Sequence, residues 1–148
     1  MAQQHYRNHS GGKSHHQRRS LGKIIRFRDD ANNIDPELFD TTAKAIAQVV
    51  SQGKREHNKS TQLRRFYDEL VMWEEKVRQD REKFNEYLPF IRMLKAKAAY
   101  AEGRKLVDGA FVDLFDQTID FVKSADDLRV AKLFLEAFMG YYKLEKGD

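Results

Sequence analysis

Ser60-Thr61-Gln62-Leu63-Arg64-Arg65-Phe66-Tyr67-Asp68-Glu69-Leu70-Val71-Met72-Trp73-Glu74-Glu75-Lys76-Val77 is the stretch that settles the architecture. Leu63, Phe66, Tyr67, Leu70, Trp73 and Val77 recur at spacings of three and four, with charged residues between them. That period belongs to an α-helix with one face on a core, not to the alternation of a strand. The pattern continues in both directions. Upstream, Asp35 before Pro36 reads as an N-cap followed by proline at the first helical position. Ala43, Ile46, Ala47 and Val50 then lead to Gly53 as a terminator. Downstream, a third helix over about Asp80 to Arg104 carries Phe84, Tyr87, Leu88, Ile91, Leu94, Ala98 and Ala101. Pro89 predicts a kink or restart near Tyr87 and Leu88. Val107, Phe111, Leu114, Phe115 and Val122 mark a fourth helix. Ser124 with Asp127 forms a capping box that opens a fifth, with Leu128, Ala131, Leu135, Phe138 and Tyr142 as its stripe. The expected fold is all-α: a compact antiparallel bundle of about five helices joined by short loops.

At 148 residues and 41% hydrophobic side chains the chain supports one modest core and one domain. It has no cysteine, which excludes disulfide frameworks, thiolate metal sites and cysteine nucleophiles. No apolar run approaches the roughly 20 residues that span a bilayer. The polar, histidine-rich start has no signal-peptide core, so a soluble cytoplasmic protein with no membrane partner is expected.

The net charge of +4 hides a strong asymmetry. Residues 1–28 hold seven basic side chains (Arg7, Lys13, Arg18, Arg19, Lys23, Arg26, Arg28) and no acidic one. The remainder keeps all 23 carboxylates against 20 cations and is slightly acidic. The first 22 or so residues are too polar to offset the entropy of ordering. Lys23 to Arg28 alternates weakly but lacks a partner strand, and reads as irregular. The chain therefore divides into a flexible basic arm over 1–33 and a helical-bundle domain over 34–148. Within the domain, Lys54, Arg55, Lys59, Arg64 and Arg65 cluster, whereas Asp108, Asp113, Asp116, Asp120, Asp126 and Asp127 form an acidic run. One basic and one acidic face are expected.

The loop from Gly53 to Ser60 falls one residue short of a G-x-x-x-x-G-K-S phosphate loop, with Asn58 in place of the second glycine. The nucleotidase reading fails because a helix, not a strand, precedes the loop and no sheet follows. What remains is a cationic loop (Lys54, Arg55, Lys59) feeding a helix N-terminus, an arrangement suited to phosphate or, more plainly, a solvated linker. On the third helix Lys97, Tyr100 and Arg104 share one stripe, cations flanking an aromatic ring in a pattern suited to single-stranded nucleic acid. The alternative makes Tyr100 a core-edge residue and pairs Arg104 with a carboxylate. His5, His9, His15 and His16 lie in the arm and His57 stands alone, so no metal or other cofactor is expected. Asp113, Asp116 and Asp120 follow helical spacing on an expected exposed face, a solvated surface or a docking site for a basic partner. No nucleophile with its base, and no H-E-x-x-H helix, is present.

Three stretches together resemble the small subunit of the type III-A CRISPR effector, the Csm complex. They are Thr61-Gln62-Leu63-Arg64-Arg65-Phe66-Tyr67, Leu94-Lys95-Ala96-Lys97-Ala98-Ala99-Tyr100-Ala101-Glu102-Gly103-Arg104, and Phe134-Leu135-Glu136-Ala137-Phe138-Met139-Gly140-Tyr141-Tyr142-Lys143. The resemblance covers roughly residues 35 to 146. It implies a non-catalytic bundle, present in more than one copy, stacked along the guide and target RNA duplex among other Csm subunits and contacting mainly the target backbone. Its matching basic positions here are Arg64, Arg65, Lys95, Lys97 and Arg104. Gly140 and Tyr142 depart from the alanine and frequent histidine expected there, and the arm lies outside the pattern. Glu136 is a candidate partner for Arg104. The rival functional readings are a helical adaptor that assembles proteins without touching RNA, and an RNA-processing enzyme.

Overall fold

The computed structural model describes residues 17–23 and 25–148. A π-helical turn at Leu38–Thr42 leads into α1 (Ala43–Ser51), followed by α2 (Ser60–Gln79) and a short 3-10 turn at Arg81–Lys83. Then come α3 (Phe84–Gly103), α4 (Gly109–Phe121) and α5 (Ala125–Lys146). This is the all-α antiparallel bundle that the apolar period predicts. α5 packs against α1 and α2, and α3 packs against α4. The predicted stripe of α5, Leu128, Ala131, Leu135, Phe138 and Tyr142, is buried throughout. Burial of each such large side chain is worth about 1.5–3 kcal/mol.

The ends of the helices follow local chemistry. Ser124 Oγ accepts the Asp127 N–H at 3.1 Å, and the Asp127 carboxylate returns the favour to the Lys123 N–H, also at 3.1 Å. At the other end of α5, Gly147 adopts a left-handed conformation (φ 69°), the usual helix stop. Asp108 caps α4 by accepting the Phe111 N–H at 3.2 Å. Two expectations shift. Asp35 makes a turn, accepting the Glu37 N–H at 2.9 Å, and the regular helix begins only at Ala43. Pro89 does not interrupt α3, which runs through Tyr87 and Leu88. Pro89 and Asn85 are exposed, so the carbonyl deprived of its N–H partner faces water.

α4 occupies the middle of the bundle: eight of its 13 residues are buried, including Phe111, Leu114, Phe115 and Ile119. It is therefore not the acidic, solvent-facing helix the aspartates predict. A second correction concerns the arm. Residues 1–16 lie outside the described residues, but the described part of 17–33, assigned above to a flexible arm, packs on the bundle as a strap along α4. Leu21 and Phe27 are buried, and Phe27 stacks on Phe121 with ring centroids 4.3 Å apart and meets Phe134 edge-on at 5.3 Å. The Leu21 N–H donates to Asp113 at 2.9 Å, Gln117 donates to the Gly22 carbonyl, and the Ile25 N–H donates to Gln117 at 3.4 Å. The strap thus advances in the same direction as α4. As expected, its described residues form no strand, only an isolated bridge between Arg28 and Ile34. Average polarity concealed two apolar anchors, Leu21 and Phe27, six positions apart, and arginines complementary to the aspartates beneath them.

Candidate nucleic-acid interface

Asn58 organises one end of the bundle. It is fully buried and holds a left-handed backbone (φ 56°), which asparagine tolerates better than most residues. Its N–H donates to the Leu106 carbonyl at 3.0 Å, and its side-chain oxygen accepts the Asp108 N–H at 2.9 Å. Its side-chain amide reaches the Val50 carbonyl at 3.5 Å, and its own carbonyl accepts the Tyr142 hydroxyl. These bonds gather the end of α1, the start of α2, the end of α3, the start of α4 and the end of α5. Two helix N-termini meet three C-termini there, so the sign of this end is decided by side chains rather than by helix dipoles.

Those side chains are mostly cationic. Lys54, Arg55, Lys59, Arg65 and Arg104 are exposed and, among the described residues, take part in no ion pair. Arg64 has only a loose contact with Asp68, 3.8 Å apart with both side chains mostly in solvent. Tyr100 is 67% exposed, with the Arg104 guanidinium 5.8 Å from its ring centroid. It is thus not a core-edge residue, and Arg104 is not tied to a carboxylate. Glu136 contacts Lys132 instead, at 3.7 Å. Two of the sequence-derived positions are otherwise engaged. Lys97 bridges to Glu69 of α2 at 3.0 Å, and Lys95 faces α4, where it meets Asp120 at 2.6 Å. Either would have to release a carboxylate to meet a phosphate.

The sequence reading missed Lys105, Lys143 and Lys146. Lys143 and Lys146 belong to the same face of α5 and only the fold sets them beside α2. A groove between the start of α2 and the end of α5 is lined by Arg64, Tyr67, Met139, Gly140 and Lys143. It continues over Ser60 and Thr61 to Arg55, Lys59 and Lys146. At its head the Asp148 carboxylate accepts the Ser60 N–H at 3.1 Å and the Ser60 hydroxyl. Burial works against that carboxylate's charge, but the two Ser60 bonds and Lys146 outweigh it and hold its pKa below the usual range. The open space over Gly140 leaves the floor of the groove unobstructed.

The acidic positions are also accounted for. Arg18 pairs with Glu102 at 2.8 Å and with Asp113 at 3.1 Å, Arg19 pairs with Asp108, and Arg28 pairs with Asp127 at 2.8 Å and Asp126 at 3.1 Å. Rather than an acidic face free for a neighbour, the chain's own strap covers most of it. Among the described residues, Asp116 alone keeps a buried carboxylate oxygen with no hydrogen-bond partner. Among the described residues no cluster of histidines and carboxylates is placed to hold a metal ion, and no helix is long and apolar enough to cross a membrane.

Fold and surface together define a small helical module whose distinguishing feature is a group of unpaired cations where its loops converge. Compared with known protein families, residues 33–148 match the family described as Csm2 Type III-A, and the chain belongs to that family. It is a small, structural subunit of the type III-A CRISPR effector complex, assembling with the other Csm subunits. No curated protein and no solved structure matched the chain.

Proposed function

We propose that this subunit holds the phosphate backbone of target RNA, paired with the guide, without reading its sequence and without catalysing a reaction, stacking with copies of itself along the complex. The observation that carries the reading is the convergence of exposed, unpaired cations (Lys54, Arg55, Lys59, Arg65, Arg104) around the loosely paired Arg64. Guide and target read each other by base pairing, so a protein beside them needs only charge at suitable intervals, and Tyr100 beside Arg104 offers a stacking surface. Lys143 joins this set from α5.

The test is the salt dependence of single-stranded RNA binding, in the isolated chain and in the assembled complex. Each phosphate contact contributes about 0.7 to the slope of log affinity against log salt. Lys54→Ala with Arg55→Ala is expected to reduce the slope by about 1.4 on that basis, equally for RNAs of different sequence. An unchanged slope removes this loop from the interface.

One observation favours the adaptor reading. Farther along α2 and α3, Met72, Phe90 and Met93 are 40%, 52% and 52% exposed, and Phe90 stacks on Trp73 with centroids 5.9 Å apart. Such a patch suits a protein neighbour. If Met93→Glu blocks assembly while every cation substitution leaves RNA binding intact, the subunit is an adaptor alone.

A further inference from the structure

We infer that Lys54 and Lys105 form a phosphate-binding cleft that exists only while the strap is docked, so that strap and RNA hold one another in place. This rests on the RNA reading above and extends it to a segment outside the family match. Because the strap runs with α4, its described start lies beside the N-terminus of that helix. There Arg18 and Arg19 line one cleft with Lys54, Lys105, Glu102 and Asp108. Lys54 and Lys105 are exposed and, among the described residues, take part in no ion pair. They adjoin Arg55 and Arg104 in the chain, so the cleft continues the cationic set of the interface.

The balance of charge in the cleft depends on the strap. Without it, two lysines stand against two carboxylates, and a phosphate would find no net attraction. The Asp108 carboxylate cannot turn away, because it caps α4 through the Phe111 N–H at 3.2 Å while its own N–H is held by the Asn58 side chain at 2.9 Å. The docked strap neutralises both. Arg19 pairs with Asp108, and Arg18 pairs with Glu102 at 2.8 Å. Lys54 and Lys105 are then left to an anion, and with no enclosed pocket around them the ligand that fits is a polyanion backbone, here that of the same RNA.

The seat of the strap is built into the fold. Arg19 also donates to the Val49 carbonyl, and Arg18 to the Gly109 carbonyl at 3.3 Å. Two glycines make room. A Cβ on Gly109 would collide with the Arg19 carbonyl and the Arg18 side chain, and one on Gly53 with the Arg19 guanidinium. Neither glycine has a positive φ, so what these positions require is space. Gly53, read in the sequence as a helix terminator, is also a notch for the strap. Coupling of this kind is reciprocal: if docking raises affinity for RNA, RNA raises the stability of docking by the same factor.

Binding of a labelled oligouridine, followed by fluorescence anisotropy over a range of potassium chloride, tests the coupling in the full-length chain. Gly109→Ala removes no charge but drives Arg18 and Arg19 from their seat, which faster hydrogen exchange at the Leu21 amide reports. It is expected to lower the salt slope by about 0.7, one phosphate contact, with helix content unchanged. Arg18→Gln leaves Glu102 uncompensated whether or not the strap moves, and is expected to lower the slope likewise. Adding Glu102→Gln to it should restore the slope, which loss of a direct contact between Arg18 and phosphate would not allow. In the parent, saturating oligouridine should slow exchange at Leu21. A parent that binds RNA, with its slope kept in both single variants and Leu21 exchange indifferent to RNA, overturns the coupling and leaves the RNA reading standing. A parent that binds at no salt concentration overturns both.

Discussion

At Asn58 a left-handed backbone and four hydrogen bonds meet in a residue with no solvent exposure. Asn58→Gly keeps the backbone and removes the side-chain bonds, leaving the Asp108 N–H without its acceptor. That is expected to cost about 1–3 kcal/mol. Asn58→Ala should cost about 1–2 kcal/mol more, because a Cβ without a compensating polar group disfavours the left-handed region. Urea denaturation checks both, and equal losses would show that the backbone conformation is not under strain. In the sequence this position was visible only as the missing glycine of a phosphate loop. The left-handed backbone was not read from that motif, and its partners Asp108 and Tyr142 lie 50 and 84 residues away. Asp116 presents the opposite case. Burial, with Asp120 and Asp113 adding to it, raises its pKa against the lowering effect of Lys95 and Arg18. A carboxyl with a raised folded-state pKa supports stability below its unfolded value, near 3.9, and loses that support as pH rises through the folded value. Asp116→Asn is therefore expected to melt higher than the parent at about pH 7, with the difference closing below about pH 4. Thermal melts across that range decide it, and a pH-independent difference would mean that the charge is not coupled to folding.

Among the elements, the helices were legible because each carries its own period and its own cap. Ser124, Asp127 and the stripe to Tyr142 act within a few residues of one another. The strap was not, since Leu21 and Phe27 are isolated apolar residues in a polar stretch and become anchors only when α4 and α5 supply Phe121 and Phe134. Likewise the aspartates of α4 follow helical spacing, yet what covers them comes from about 90 residues earlier in the chain. Replacing a core phenylalanine by alanine ordinarily costs about 3–5 kcal/mol. For Phe27→Ala the global loss should fall below that range, because the strap can open without unfolding the helices. Hydrogen exchange provides the measurement. The Leu21 and Ile25 amides, bonded to Asp113 and Gln117, should exchange much faster in the variant while α2 and α5 keep their protection. Unaltered exchange at Leu21 would assign the strap's attachment to its arginines alone.

For the molecule as a whole, net charge is a poor guide to where an anion would bind. The domain is slightly acidic, but Glu69, Glu102, Asp108, Asp113, Asp120, Asp126 and Asp127 are paired internally with Arg18, Arg19, Arg28, Lys95 and Lys97, whereas Lys54, Arg55, Lys59, Arg65 and Arg104 take part in no ion pair among the described residues. The sequence located most of those cations without showing that Lys95 and Lys97 are already paired, because ion pairs between helices depend on packing rather than on spacing within one helix. It also treated the basic start and the acidic run as separate features, when Arg18, Arg19 and Arg28 pair with Asp108, Asp113, Asp126 and Asp127. The strap's geometry adds a consequence of its own. It is fastened at two ends of α4, by Arg18 and Arg19 at one and by Phe27 and Arg28 at the other. The Arg18 pairs remain open to water, and such pairs are each worth little, about 0–1 kcal/mol, whereas the Arg19–Asp108 and Arg28–Asp127 pairs are partly buried. Once one end lets go, however, the other keeps it at a high effective concentration over its seat, so rebinding is intramolecular and fast. The attachment therefore behaves as a bivalent one, tolerant of losing either fastening and released only when both fail together.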